Sequence, residues 1–207
     1  MAAQVHPDHY FNEVYEGKGR FISYWHQIDE IISINPRKIL EIGVGSGFVS
    51  RYLKERNINV TTLDIDKRLN PVITGSVLNL PFKENSFDII VCCEVLEHLE
   101  YEKFYSSVLE ISRVSRAYVI LSMPDVSRVS RFSIQVPVIG DLKLLIPIPR
   151  FRKLKHKFDG EHYWEIGKKG YPIKKIINDI QRTGMYVEKT YRIFEYPYHR
   201  FFLLKKI

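Results

Sequence analysis

Three glycines at alternate positions, Gly43, Gly45 and Gly47, close the stretch K-I-L-E-I-G-V-G-S-G that runs from Lys38 to Gly47. A loop with no side chain between its backbone and a ligand suits close approach by a nucleotide-like cofactor. Ser46 stands where it can cap a helix beginning at Phe48, so that free backbone N–H groups face whatever lies over the loop. A dinucleotide fingerprint needs glycine or alanine at the sixth position of G-x-G-x-x-G, and that position is Phe48. No Lys-Ser/Thr pair follows, which excludes a phosphate-cradling P-loop. About 17 residues farther on, L-D-I-D ends the next apolar run, near the offset at which an acid meets a ribose. Asp64 is placed to take both ribose hydroxyls, and Asp66 to cap the turn after it. A third group, Glu94-Val95-Leu96-Glu97-His98, follows an apolar run and combines two acids with a histidine. Helical spacing would put Glu94 and Glu97 on one face, and a histidine with a pKa near 6.5 can take a proton from an acceptor.

The elements that must hold these residues alternate. Apolar spacing over His9 to Ser33 predicts a helix, closed by Asn35-Pro36. Strands are expected at Lys38–Ile42, Asn59–Ile65, Val72–Thr74, Phe87–Cys93 and Ala117–Met123. Helices are expected from Phe48 to about Arg56 and over Tyr101–Val114. Such alternation implies right-handed βαβ units and a mostly parallel sheet that binds ligands at its carboxyl edge. After a helix at Ile173–Arg182, two strand-like runs (Met185–Phe194 and Arg200–Lys205) have only a Pro197-containing turn between them, so they should pair antiparallel. The expected fold class is therefore α/β: a Rossmann-like, doubly wound sheet, mostly parallel with one reversed terminal strand. Residues 1–207 are expected to form one domain. Between Asp125 and Tyr171 the periodicity is lost and Pro137, Pro147 and Pro149 interrupt apolar residues. The stretch 125–165 is accordingly expected to be an inserted lid that binds the acceptor.

Composition bounds the rest. The chain has 207 residues, 45% of them hydrophobic and 27% charged, which is ordinary for a soluble globular domain. Cys92 and Cys93 are adjacent in an apolar run and read as reduced thiols of a cytoplasmic protein. The N-terminus lacks the apolar core of a signal peptide, and no run of about 18 apolar residues could span a membrane. The net charge of +7 is concentrated at Arg150, Arg152, Lys153, Lys155 and Lys157, a cluster suited to an acidic partner.

Taken together, E-I-G-V-G-S-G (41–47), L-D-I-D (63–66), L-P-F (80–82), S-F-D-I-I-V-C-C-E-V-L-E-H-L (86–99) and the terminal hairpin resemble the class I S-adenosylmethionine-dependent methyltransferases. The resemblance is to the small-molecule type that includes quinone-pathway methylases. It implies a seven-stranded sheet and S-adenosyl-L-methionine as cofactor. It also implies that Gly43, Gly45 and Gly47 take the cofactor's methionine part, with Glu41 fixing the loop and reaching the amino group through water. Asp64, with Ile65, would take the ribose, Ser76 and Val77 would flank the adenine, and Cys93 would border the cofactor. The family commonly has an acid where Ser76 stands, and serine accepts without charge assistance. In some quinone O-methyltransferases and small-RNA end methylases an E-x-x-E-H pattern binds a divalent metal; Glu94, Glu97 and His98 match it. The same letters occur in metal-free relatives, where the histidine is a substrate-side base or a packed helix-start residue.

His98 is the first candidate for a catalytic base. His162 is the second, in a stretch (Asp159, Glu161, His162, Tyr163, Trp164) whose polar and aromatic density resembles an acceptor pocket. The expected acceptor is a small or lipid-linked molecule, methylated at oxygen. Absence of a Pro-Cys element and of D/N-P-P-Y argues against nucleic-acid modification. The lid and basic cluster would allow peripheral contact with an anionic membrane.

Overall fold

The computed structural model describes residues 5–13, 15–138, 140–150 and 154–207. Ile139 of the proline-broken segment and Arg152 and Lys153 of the basic cluster lie outside the described residues. Seven strands form one sheet: β1 (Lys38–Ile42), β2 (Asn59–Asp64), β3 (Ile73–Thr74), β4 (Phe87–Cys93), β5 (Ser115–Pro124), β8 (Met185–Arg192) and β9 (His199–Lys206). Their spatial order is β3-β2-β1-β4-β5-β9-β8. β1 pairs in parallel with both β2 and β4, and β5 in parallel with β4. β9 is antiparallel to β5 on one side and to β8 on the other, so the single reversed strand is the last in the chain and lies one in from the β8 edge of the sheet. The order reverses between β1 and β4, and crevices of this kind lie at the carboxyl ends of the flanking strands.

Strands buried on both faces explain the continuous apolar runs. Successive residues point to opposite sides. Leu40, Ile90, Val119 and Phe202 join Val108 and Ile111 of α3 (Phe104–Val114) and Ile176 and Ile180 of α4 (Ile173–Gln181). Their chain neighbours Ile39, Ile89, Ile120 and Phe201 face the other way. That side is filled by Tyr24 and Ile31 of α1 (Lys18–Ile34) and Val49 and Leu53 of α2 (Phe48–Glu55). Two helices thus pack on each face of the sheet.

Three expectations are corrected here. α1 does not begin near His9. A short 3-10 turn spans Pro7–Phe11, and the helix proper starts after Gly17, which stands at its N-cap in an extended conformation. Asn35, in the left-handed conformation (φ 53°), ends it by donating its N–H to Ile31 and Ile32 carbonyls. Ser46 does not cap α2: Gly47, at φ 70°, occupies the cap position, and the Ser46 hydroxyl is buried 3.3 Å from that of Tyr24. Finally, the segment after β5 is not irregular. β6 (Val129–Val136) and β7 (Gly140–Pro147) form an antiparallel two-stranded sheet of their own. Pro137 lies in its turn and Pro147 ends β7, positions where a missing N–H costs nothing.

Candidate active site

The carboxyl ends of β1, β2 and β4 open into one cavity of about 870 Å³, a volume that suits a small-molecule ligand. Gly43, Gly45, Asp64, Ile65, Ser76, Val77 and Cys93 line it, as do His98 and His162. Gly43 turns out of β1 at φ 84° and donates its N–H to Leu63 O at 2.9 Å. A Cβ there would lie 2.4 Å from Val95 Cγ2, so only glycine fits. Gly45 lies under the ring of Tyr10. Gly47 is not on the lining, since its left-handed turn is spent on starting α2.

Asp64 is nearly buried at the end of β2. Its Oδ2 accepts from Val44 N–H at 2.7 Å and its Oδ1 from Asp66 N–H at 2.8 Å, and each oxygen keeps a further lone pair. Burial raises its pKa against the pull of these hydrogen bonds. Asp66 caps the turn Lys67–Leu69 and pairs with Arg68 at 2.7 Å. Glu41 is buried beside the glycine loop, its Oε2 without a hydrogen-bond partner, and burial pushes its pKa up to about 7. It borders a second space of about 40 Å³, shared with Tyr15, Arg20 and Gln27, which is room enough for a water molecule. The Ser76 hydroxyl accepts from Leu78 N–H at 3.3 Å.

At the other group of acids the geometry differs from the helical spacing. Glu94 has a left-handed backbone (φ 54°), and only Leu96–His98 form a 3-10 turn, so Glu94 and Glu97 do not share a helix face. Glu94 Oε1 accepts from the Ser122 hydroxyl at 2.7 Å, and its Oε2 lies 3.3 Å from His199 Nε2. Glu97 is fully buried, with neither carboxylate oxygen hydrogen-bonded, and burial together with nearby Glu94 holds its pKa well above the usual range. Ligand atoms of Glu97, His98 and His162 all lie within 4.8 Å of one another. Among the described residues this trio, rather than Glu94, Glu97 and His98, is the set that could hold a divalent ion.

His98 Nδ1 lies 3.0 Å from Glu161 O, which requires the proton on Nδ1 and leaves Nε2 as the basic nitrogen of the neutral ring. Burial, then the neighbouring His162, lower its pKa. The two rings meet edge to face at 5.0 Å. Burial pulls His162 down as well, but Glu165 and Asp159 outweigh it and leave its pKa raised. Its Nδ1 is 3.5 Å from Glu165 Oε1, to which the Tyr198 hydroxyl donates at 2.6 Å. Glu165 is brought down to about 2: the desolvation that opposes ionisation is overcome by His162, Tyr198 and Lys168.

Two expectations fail at the acceptor side. Trp164 is not a pocket residue; it is wholly buried, donates from Nε1 to Leu99 O at 3.1 Å, and packs on Tyr101 and Phe104. Of the described residues of 125–165, only Glu161, His162 and Tyr163 line the cavity; the β6–β7 hairpin pairs with itself and contributes no described residue to the wall. The sequence reading missed the N-terminal wall instead. Tyr10, Tyr15 and Arg20 line the cavity, with the Arg20 guanidinium 4.3 Å from the centre of the Tyr15 ring. Burial opposes the charge of Arg20, but Tyr15 and Glu94 raise its pKa nonetheless. The available signal was Gly19, where a Cβ would sit 2.6 Å from the ring of Tyr196, another lining residue.

Residues 40–121 match the sequence profile of a methyltransferase domain. Over that stretch, about two fifths of its length, the chain is similar to methyltransferase domains. The demethylmenaquinone methyltransferase of Thermotoga maritima is 33% identical over 38% of this chain and 42% of its own length. A ubiquinone biosynthesis O-methyltransferase of Stutzerimonas stutzeri is 29% identical over 35% of this chain and 38% of its own. The chain therefore spans about two fifths of the length of the curated relatives it matches. An S-adenosylmethionine-dependent methyltransferase from Clostridium acetobutylicum superposes with a TM-score of 0.64 over 95% of this chain and 97% of that one, at 12% identity. That likeness establishes the fold. The methyltransferase domain's profile begins inside β1 and ends inside β5, so it contains the glycine loop, Asp64 and the Glu94–His98 group, and stops before the hairpin and His162.

Proposed function

We propose that this chain transfers a methyl group from S-adenosyl-L-methionine to a small or lipid-linked acceptor, at oxygen. One observation carries the reading: the glycine loop with Asp64, and His98 with His162, line a single cavity. The residues present fit the cofactor. The backbone of Gly43 and Gly45 would lie along its methionine part, and the unpartnered Glu41 oxygen would take the amino group through water. Arg20, a cation bordering both spaces, would face the carboxylate. The remaining lone pairs of Asp64 would accept from the two ribose hydroxyls, and Ile65, Ser76 and Val77 would flank the adenine. When bound, the cofactor supplies a methyl group on a sulfonium, for in-line displacement that needs alignment more than a strong catalyst. His98 would take the acceptor's proton at Nε2, its lowered pKa keeping it neutral near pH 7. The ubiquinone biosynthesis relative, named as an O-methyltransferase, supports an oxygen acceptor.

A second reading is carried by Glu97, because a fully buried carboxyl with no partner is expensive unless something charged meets it. In that reading Glu97, His98 and His162 would hold a divalent ion able to polarise an acceptor oxygen. An RNA-directed methylase and a non-catalytic module remain rival classes, with no feature of the cavity favouring either.

Calorimetry on the full chain tests the first step. S-adenosylmethionine should bind, and Asp64→Ala should bind it at least about a hundredfold more weakly, the loss expected for two hydrogen bonds to a charged acceptor. Unchanged affinity in the variant would move the ribose contact elsewhere, and no binding by the wild type would end the enzyme reading.

A further inference from the structure

The β6–β7 hairpin has two unlike faces. Directly paired residues of an antiparallel ladder share a face. Arg131 lies opposite Leu145 and Ser133 opposite Lys143 on one, while Phe132 lies opposite Leu144 and Ile134 opposite Leu142 on the other. The first face is tied back to the body: Arg131 donates to Glu195 O at 3.0 Å, and Lys143 to Glu195 Oε1 at 2.7 Å. The second is left outward, with Phe132, Ile134, Leu142, Leu144 and Ile146 each 46–49% exposed. At the tip Val138 is fully exposed, an apolar end where a hairpin turn would ordinarily be polar.

Charge decides what covers this face. Residues 128–157 hold eight Lys or Arg against one acid, Asp141, which leaves them at +7; that is the whole of the chain's formal +7. Arg128, Lys155 and Lys157 are exposed. A second copy of the chain meeting this face in a symmetric pair would bring two such patches together, and they would repel. RNA would be drawn to the charge but has no use for a band of aliphatic side chains, with Phe132 alone offering a ring for stacking. An anionic lipid surface satisfies both features: its headgroups meet the cations and its acyl boundary takes the apolar face.

We propose that the β6–β7 hairpin is a peripheral membrane anchor that lays its Phe132–Ile146 face into anionic lipid. The hairpin contributes no described residue to the cavity wall, so anchoring is separable from cofactor binding. Co-sedimentation of the full chain with phosphatidylcholine vesicles, with and without about one third phosphatidylglycerol, tests it at low salt and at about 0.5 M, where surface charge is largely screened. Anionic vesicles should retain the protein at least about tenfold better than neutral ones, and the high salt should reverse much of that. The double variant Phe132→Asp, Leu144→Asp should lose retention while keeping its thermal midpoint and its S-adenosylmethionine affinity. Arg128→Glu, Lys155→Glu, Lys157→Glu should lose the preference for anionic lipid on an unaltered apolar face. Three results would overturn the proposal: no retention of the wild type at low salt, retention unaffected in both variants, or a wild type that dimerises through this face or binds a single-stranded RNA probe in preference to vesicles.

Discussion

At the scale of single residues, His98, His162 and Glu97 bring three ligand atoms within 4.8 Å of one another. His98 and His162 are pushed in opposite directions, one by burial and its neighbour, the other by the acids of Glu165 and Asp159. Separated titrations of two close groups are a mark of divided roles in proton transfer. If Nε2 of His98 takes the acceptor's proton, turnover should fall as pH drops through a pKa lying below 6.5, the value from which His98 is lowered. His98→Ala should lower kcat about a hundredfold and leave cofactor affinity nearly intact, as loss of a general base does. Equal loss of both would make His98 structural. Glu97 separates this mechanism from the metal-assisted one. Without a cation its raised pKa keeps it a neutral acid, for which glutamine is a close substitute, so Glu97→Gln would be nearly silent. With a cation, Glu97→Gln should reduce activity to the level left by a chelator.

At the scale of elements, the glycine loop was readable because its constraint is local. Gly43 must follow an apolar strand and leave room for Val95, and both requirements sit within sixty residues of contiguous βαβ chain. Gly43→Ala should therefore weaken S-adenosylmethionine binding, since the added methyl meets Val95 Cγ2 and must also adopt φ 84°. Recovery of binding in Gly43→Ala, Val95→Ala would assign part of the loss to the clash; no recovery would assign it to backbone strain. The hairpin was misread for a physical reason of a different kind. F-S-I-Q-V over Phe132–Val136 does alternate, but the three prolines around it read as breakers, and an alternating strand whose apolar side faces outward has no core partner to betray it. Trp164 misled in the opposite sense: polar neighbours in sequence suggested a pocket, while its ring meets the stacked pair Tyr101 and Phe104 edge-on, contacts made about sixty residues away along the chain. The N-terminal wall was missed because Tyr10, Tyr15 and Arg20 act through tertiary contact with the loop, and a pattern of spacing carries no such information.

Across the whole molecule, buried titratable groups connect the site to the stability of the fold. His199, at the start of β9, is fully buried; its Nδ1 is 2.8 Å from the Ser23 hydroxyl of α1, and its Nε2 faces Glu94. It thus joins the last strand, the first helix and the loop after β4. Burial lowers its pKa to about 4, while nearby Glu94 pulls the other way. Because the folded value lies below the unfolded one near 6.5, the native state prefers the neutral ring. The stability so gained is complete above about pH 6.5 and is lost as pH falls toward 4, a shift worth on the order of 3 kcal/mol. Glu41 is linked with the opposite sign. Its folded pKa, about 7, exceeds the ordinary carboxyl value of 4.5, so its contribution is complete below pH 4.5 and is lost as pH rises through 7. Between pH 7 and 4.5 the two groups oppose each other, and single substitutions should expose each in turn. Relative to the wild type, His199→Gln should gain stability on acidification, and Glu41→Gln should lose it, each by about 2 to 3 kcal/mol over that interval. Urea unfolding at pH 7.0, 5.5 and 4.5 reads the difference directly, and comparison between variants removes the titration of every other group. Three parallel stability profiles would mean that neither side chain is desolvated in solution as it is in this fold. Divergence in the stated directions would instead tie the acid limit of the fold to His199, a residue outside the cavity wall that faces Glu94, which lines it.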